Sequence, residues 1–220
     1  MANVRLQDLT AIIHNTSRSN GGKYDLVHVE NLIKTDTPID PNLHWYVPDG
    51  ITPSPFATML FQSKNMAMYP RSEADLTNGI QDMLEEAKAR KEVELTDDFA
   101  KLLMLCTLKN KSLTPVDGAP NLYLLSYDYK LFPDTSTNPA KFKFVAELPF
   151  KGLNIAPDRG AVQLTVLMPL DSKIDPVATK GTAPDNANIN EQIVPITRIN
   201  RQTVTFRYQK DPIFTIVYNY

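Results

Sequence analysis

The chain has one cysteine, Cys106, and three histidines in 220 residues. A single thiol excludes an intrachain disulfide and any cysteine-rich zinc cluster built within one chain. His14, His28 and His44 form no HExxH and no close pair of the kind zinc sites use. No run approaches the eighteen or so apolar residues of a membrane span. The opening MANVRLQDLT lacks the charged-then-apolar pattern of a secretory signal. The formal net charge of -2 gives no overall pull toward nucleic acid or anionic lipid.

Reaction motifs are missing as well. There is no GxGxxG and no GxSxG. Asn20-Gly21-Gly22-Lys23-Tyr24 lacks the first glycine of a phosphate loop and the Ser or Thr after its lysine. The spaced acids of Asp36–Asp40 and Asp171–Asp175 do not continue into an EF-hand glycine and closing glutamate. The sequence therefore nominates no catalytic residue, no cofactor and no metal ligand, and it predicts a protein that is not an enzyme.

Glycine is scarce and proline is not, at 8 against 17. Pro38, Pro41, Pro48, Pro53 and Pro55 crowd one stretch, which excludes long regular structure there because proline lacks an N–H and restricts its predecessor. Residues 4–14 place Leu6, Leu9, Ile12 and Ile13 at helical spacing and predict a short helix. Tyr24 to Ile33 fits strand or helix. Residues 1–70 are expected as an extended N-terminal arm and 71–220 as the core domain.

Two helices are predicted next. Ser72 and Asp75 make a capping-box-like start for a helix over 72–90, with Leu76, Ile80, Met83, Leu84 and Ala87 on one face. A second runs from Thr96 to about 110, with Phe99, Leu102, Leu103 and Cys106 as its stripe and Lys109 and Lys111 near its C-terminal end. On that stripe Cys106 reads as a small core residue rather than a nucleophile.

After Pro115 the period changes to two. Strands are expected at Tyr123–Leu131, Phe142–Phe150, Val162–Leu170 and Val194–Ile199, with a polar loop over 171–191. Thr203–Tyr208 and Ile213–Tyr220 flank Lys210-Asp211-Pro212 and read as a terminal hairpin at a sheet edge or subunit boundary. The fold class is thus α+β: an irregular Pro-rich N-terminal region, a helical hairpin (about 72–110), then a mainly antiparallel sheet or sandwich (about 121–220).

Arms and apolar terminal strands suit contacts between subunits. The leading expectation is a structural or assembly protein, a homo-oligomer or a subunit of a larger particle such as a virion or phage component. Otherwise it would be cytoplasmic, and in neither case bound to a membrane. Its candidate interface is Trp45, Tyr46, Phe56, Phe214, Ile216, Tyr218 and Tyr220. The alternative is a module binding nucleic acid or another polymer through Arg198, Arg201, Arg207 and Lys210, beside aromatic residues. A third reading is an enzyme whose site has no sequence signature.

Overall fold

A computed structural model describes residues 2–64, 66, 68–89, 97–150, 152–183, 188–189, 192–196 and 200–220. Among the described residues strands hold 42% and helices 18%, which makes this an α+β protein with mainly antiparallel sheets.

The first element is a strand. β1 (Asn3–His14) buries Gln7, Leu9, Ala11 and Ile13, and directs Asp8, Thr10 and Ile12 to its opposite side. The helix predicted over 4–14 is incorrect. Leu6, Leu9, Ile12 and Ile13 have helical spacing by coincidence, and Gln7 at a buried position hides the period of two. A short 3-10 turn (Thr16–Ser19) leads into β2 (Asp25–Thr35), which pairs antiparallel with β1 from Val4↔Thr35 to His14↔Leu26. Residues 3–35 are therefore central strands and not an arm, because each finds ladder partners on both sides.

The Pro-rich stretch opens an excursion from the sheet. It contains β3 (Trp45–Val47), α1 (Pro55–Ser63), β4 (Arg71–Ser72), α2 (Glu73–Thr77), α3 (Ile80–Lys88), α4 (Asp97–Thr107) and β5 (Lys109–Lys111), and β6 (Thr114–Pro115) returns the chain to the sheet. β4, β3 and β5 form a small sheet. Ser54 caps α1 by accepting from the Ala57 N–H, and Ser72 caps α2 by accepting from the Asp75 N–H at 3.2 Å. The helix expected over 72–90 is broken at Asn78-Gly79. Gly79 has φ +88°, and a Cβ there would stand 2.6 Å from the Asp98 carboxyl at the start of α4. The break therefore lets α4 approach closely. Thr96, the expected start of the second helix, lies outside the described residues, and Lys109 and Lys111 belong to β5.

The stripe of α4 is displaced by one residue from the predicted one. Ala100, Met104 and Leu108 are buried, and Met104 and Leu108 with Ala57, Phe61 and Leu76 fill a second small core. Phe99 and Leu103 are half-buried. Cys106 is exposed, and Leu84 is 49% exposed, so neither is the core residue that the helical pattern predicted. An amphipathic stripe defines an arc, and packing against α1 and α2 selects which part of it is covered.

The remaining strands are β7 (Leu122–Leu131), β8 (Phe142–Glu147), β9 (Asn154–Ile155), β10 (Ala161–Leu167), β11 (Lys173–Ile174), β12 (Lys180–Thr182), β13 (Asn188–Ile189), β14 (Gln192–Ile196), β15 (Arg201–Tyr208) and β16 (Ile213–Asn219). The eight-stranded sheet runs β14-β15-β10-β1-β2-β7-β6, with β9 beside the start of β1. β1 and β10 are parallel; the other pairs along this path are antiparallel. In the second sheet, β16 lies between β8 on one side and β11 and β12 on the other. The region expected as a polar loop, 171–191, thus supplies three short strands.

The two sheets share one core. Leu9, Val29, Tyr127, Leu164 and Phe206 from the first meet Phe144, Phe214, Ile216 and Tyr218 from the second. β15 and β16 are not the predicted hairpin. Residues 209–212 carry the chain from one sheet to the other, so Phe206 and Phe214 face each other across the core, ring centroids 4.8 Å apart. β16 is flanked by β8 on one side and by β11 and β12 on the other, so it is not an edge strand, and its inner residues Phe214, Ile216 and Tyr218 are fully buried.

Candidate functional site

The seven predicted interface residues do not share a surface. Trp45 is fully buried and packs on Phe150, with centroids 5.8 Å apart. Phe214, Ile216 and Tyr218 are core residues. Tyr46 is half-buried beside the helical cluster, and Phe56 is exposed on the first turn of α1. Tyr220 is half-buried and donates to Asp25.

That last contact belongs to a buried polar knot. Asp25, fully buried at the start of β2, accepts from Tyr218 Oη at 2.8 Å, Tyr220 Oη at 2.7 Å and the Ser17 N–H at 2.9 Å. Burial, reinforced by the Asp25 carboxylate, pushes both phenols well above the usual tyrosine value, so they stay protonated donors. The knot ties β16 to β2 and is structural in character.

The basic set is likewise divided. Arg201 donates to the carbonyls of Met168 and Ile13, which assigns its guanidinium to joining β15 to neighbouring main chain. Arg207 and Lys210 are exposed. Arg198 lies outside the described residues.

Two concave regions invite inspection. A cleft of about 140 Å³ opens between α1, the end of β7 and β8, lined by Phe61, Met68, Tyr129, Phe132, Lys143 and Val145. It is small against the roughly 300–1,000 Å³ usual for ligand pockets. Burial holds the Lys143 ammonium below the usual lysine value. An open groove of about 440 Å³ lies between residues 154–160 and 209–211. It carries Asp158, Arg159, Lys210 and Asp211, charges of both signs, and Asp158 is already paired with Arg5. Among the described residues no cluster of three or more His, Cys, Asp or Glu side chains could hold a metal ion. No described helix is long and apolar enough to cross a membrane.

The outer face of the eight-stranded sheet, which no sequence pattern singled out, is a further exposed surface. Its rows follow from the register. Arg207, Gln163, Asp8 and Leu32 stand side by side across β15, β10, β1 and β2. The next row is Thr205, Thr165, Thr10 and Glu30, and the one after it Thr203, Leu167, Ile12 and His28. Most of these side chains are half-exposed. Further out, His28 Nδ1 lies 2.8 Å from Asp128, and this hydrogen bond holds the imidazolium pKa above the usual histidine value. Asp8 is different. One carboxyl oxygen is hidden and has no partner, and burial raises its pKa. Reading residues 4–14 as a strand would have placed Asp8 and Thr10 on one face, so this signal was present in the sequence.

No protein-family model matches the chain, and no curated protein matches it in sequence.

Proposed function

We propose that the protein is a non-enzymatic assembly subunit, a structural component of a larger particle such as a virion or phage structure. The observation that carries this reading is the outer face of the eight-stranded sheet. Its inner side makes the core, while its outer side presents Leu6, Ile12, Leu32, Leu124 and Leu167 half-exposed across β1, β2, β7 and β10. An antiparallel-rich sheet can keep one face wet, but that face is then normally polar. A partly apolar sheet face suits contact with another protein. The expected edge strand and the first half of the expected arm do not contribute, because β16, β1 and β2 are flanked on both sides within this chain.

The polymer-binding alternative draws on the exposed Arg207 and Lys210 alone among its described residues, since Arg201 is engaged with main-chain carbonyls. The native mass of purified protein tests the leading reading. A defined oligomer is expected by light scattering at physiological salt. A monomer at all concentrations, together with binding to single-stranded nucleic acid that weakens steeply with salt, would favour the alternative.

A further inference from the structure

Two oppositely charged residues on the outer face have no partner among the described residues. Arg207 is exposed and makes no hydrogen bond or ion pair with any described residue. Asp8 hides one carboxyl oxygen that nothing satisfies. They lie in one row, separated by Gln163, because Arg207 pairs with Gln163 on β10 and Gln163 with Asp8 on β1. At about 4.8 Å per strand their Cα atoms are roughly 10 Å apart, on opposite sides of β10.

That arrangement is self-complementary. A two-fold axis lying above the face and running along β10 carries each copy's β15 over the other's β1. Arg207 of one copy then sits over Asp8 of the other, and the contact occurs twice. Thr205 comes over Thr10 and Thr203 over Ile12, so no like charges meet in these rows. Gln163, Thr165 and Leu167 of β10 meet their own counterparts on the axis. We propose that the protein forms a two-fold dimer through this face, with Arg207 of each copy paired to Asp8 of the other.

Two further points support a second copy as the occupant. β15, β10 and β1 overlap over the roughly 23 Å length of β10, and β14 over β2 only along the roughly 10 Å of rows shared by Gln192–Val194, giving about 430 Å² of projected contact per copy. Side-chain relief adds to that figure and brings it toward the roughly 800 Å² per partner of a standard interface. Burial also disfavours the ionised carboxylate of Asp8 in the monomer, and a guanidinium from the facing copy, meeting the accessible carboxyl oxygen, would favour it.

The inference deepens the assembly reading and rests on it. Sedimentation equilibrium on the full chain, with circular dichroism melts as a folding control, tests both. The wild type is expected to be a dimer whose dissociation constant rises with salt. Asp8→Arg and Arg207→Asp each place like charges opposite one another and should weaken the dimer at least about tenfold. The double swap Asp8→Arg/Arg207→Asp should restore it to within about threefold, since the pair is re-formed with reversed polarity. Asp8→Asn, the milder variant, should weaken association and leave the melting temperature unchanged or higher. Thr165→Arg sets two cations on the axis and should abolish the dimer. An oligomer indifferent to Asp8→Arg and Thr165→Arg would overturn this pairing while leaving assembly through another face. A double swap that stays dissociated although folded would overturn the pairing too. A wild type that is monomeric throughout would overturn both proposals.

Discussion

Tyr218→Phe removes one oxygen from the centre of the molecule and tests how the two sheets are joined. The ring is fully buried and stacks on Phe142 with centroids 5.1 Å apart, so the substitution retains the packing. What is lost is the 2.8 Å hydrogen bond to Asp25. A bond to a charged acceptor contributes about 1.5–3 kcal/mol. Asp25 keeps Tyr220 Oη and the Ser17 N–H, so the lower half of that range, about 1.5–2 kcal/mol, is expected. Tyr220 is half-buried and water can replace its hydroxyl, so Tyr220→Phe should cost only about 0.5–1 kcal/mol. The double variant leaves the buried carboxylate with the Ser17 N–H alone. Its cost should exceed the sum of the two singles, because a buried charge stripped of its partners is penalised by about 3–5 kcal/mol. Denaturant unfolding at neutral pH, followed by fluorescence and circular dichroism, gives the three values. A Tyr218→Phe variant within about 0.5 kcal/mol of wild type, or strictly additive singles, would refute the knot as a strut between the sheets.

Deleting residues 1–35 removes two central strands, and the expected outcome is a chain with no cooperative thermal transition; a folded remainder would contradict the sheet order. Met104→Ala should cost about 2–5 kcal/mol, and Leu103→Ala clearly less, because Met104 is fully buried and Leu103 only half so; equal costs in urea melts would return the α4 stripe to its predicted position. His28 should titrate above the usual histidine value in NMR, and Asp128→Asn should lower its pKa. Since the folded-state value is the higher one, the pair's stabilisation is fully present below about pH 6.5 and is lost as the pH rises through the folded pKa. An unchanged titration in Asp128→Asn would show that another group sets the shift.

Local pattern carried real information about this chain. The period of two within Phe142–Phe150, Val162–Leu170 and Thr203–Tyr208 marked strands, and Ser72 with Asp75 marked a helix start, because alternation and capping are determined within a few residues. Pairing was another matter. Whether β15 and β16 close on each other or part into two sheets depends on partners far away in sequence, β10 for one and β8 for the other. Both arrangements satisfy the same alternation. The identity of residues 4–14 was decided in the same way. Leu6, Leu9, Ile12 and Ile13 allow a helix, and only the ladders to β2 and β10 make Gln7 an inner residue and Asp8 an outer one. The candidate site shares this origin. Asp8 and Arg207 are 199 positions apart, and no local signal links them. They become neighbours on one face because a parallel strand, β10, is placed between their two strands by the tertiary fold.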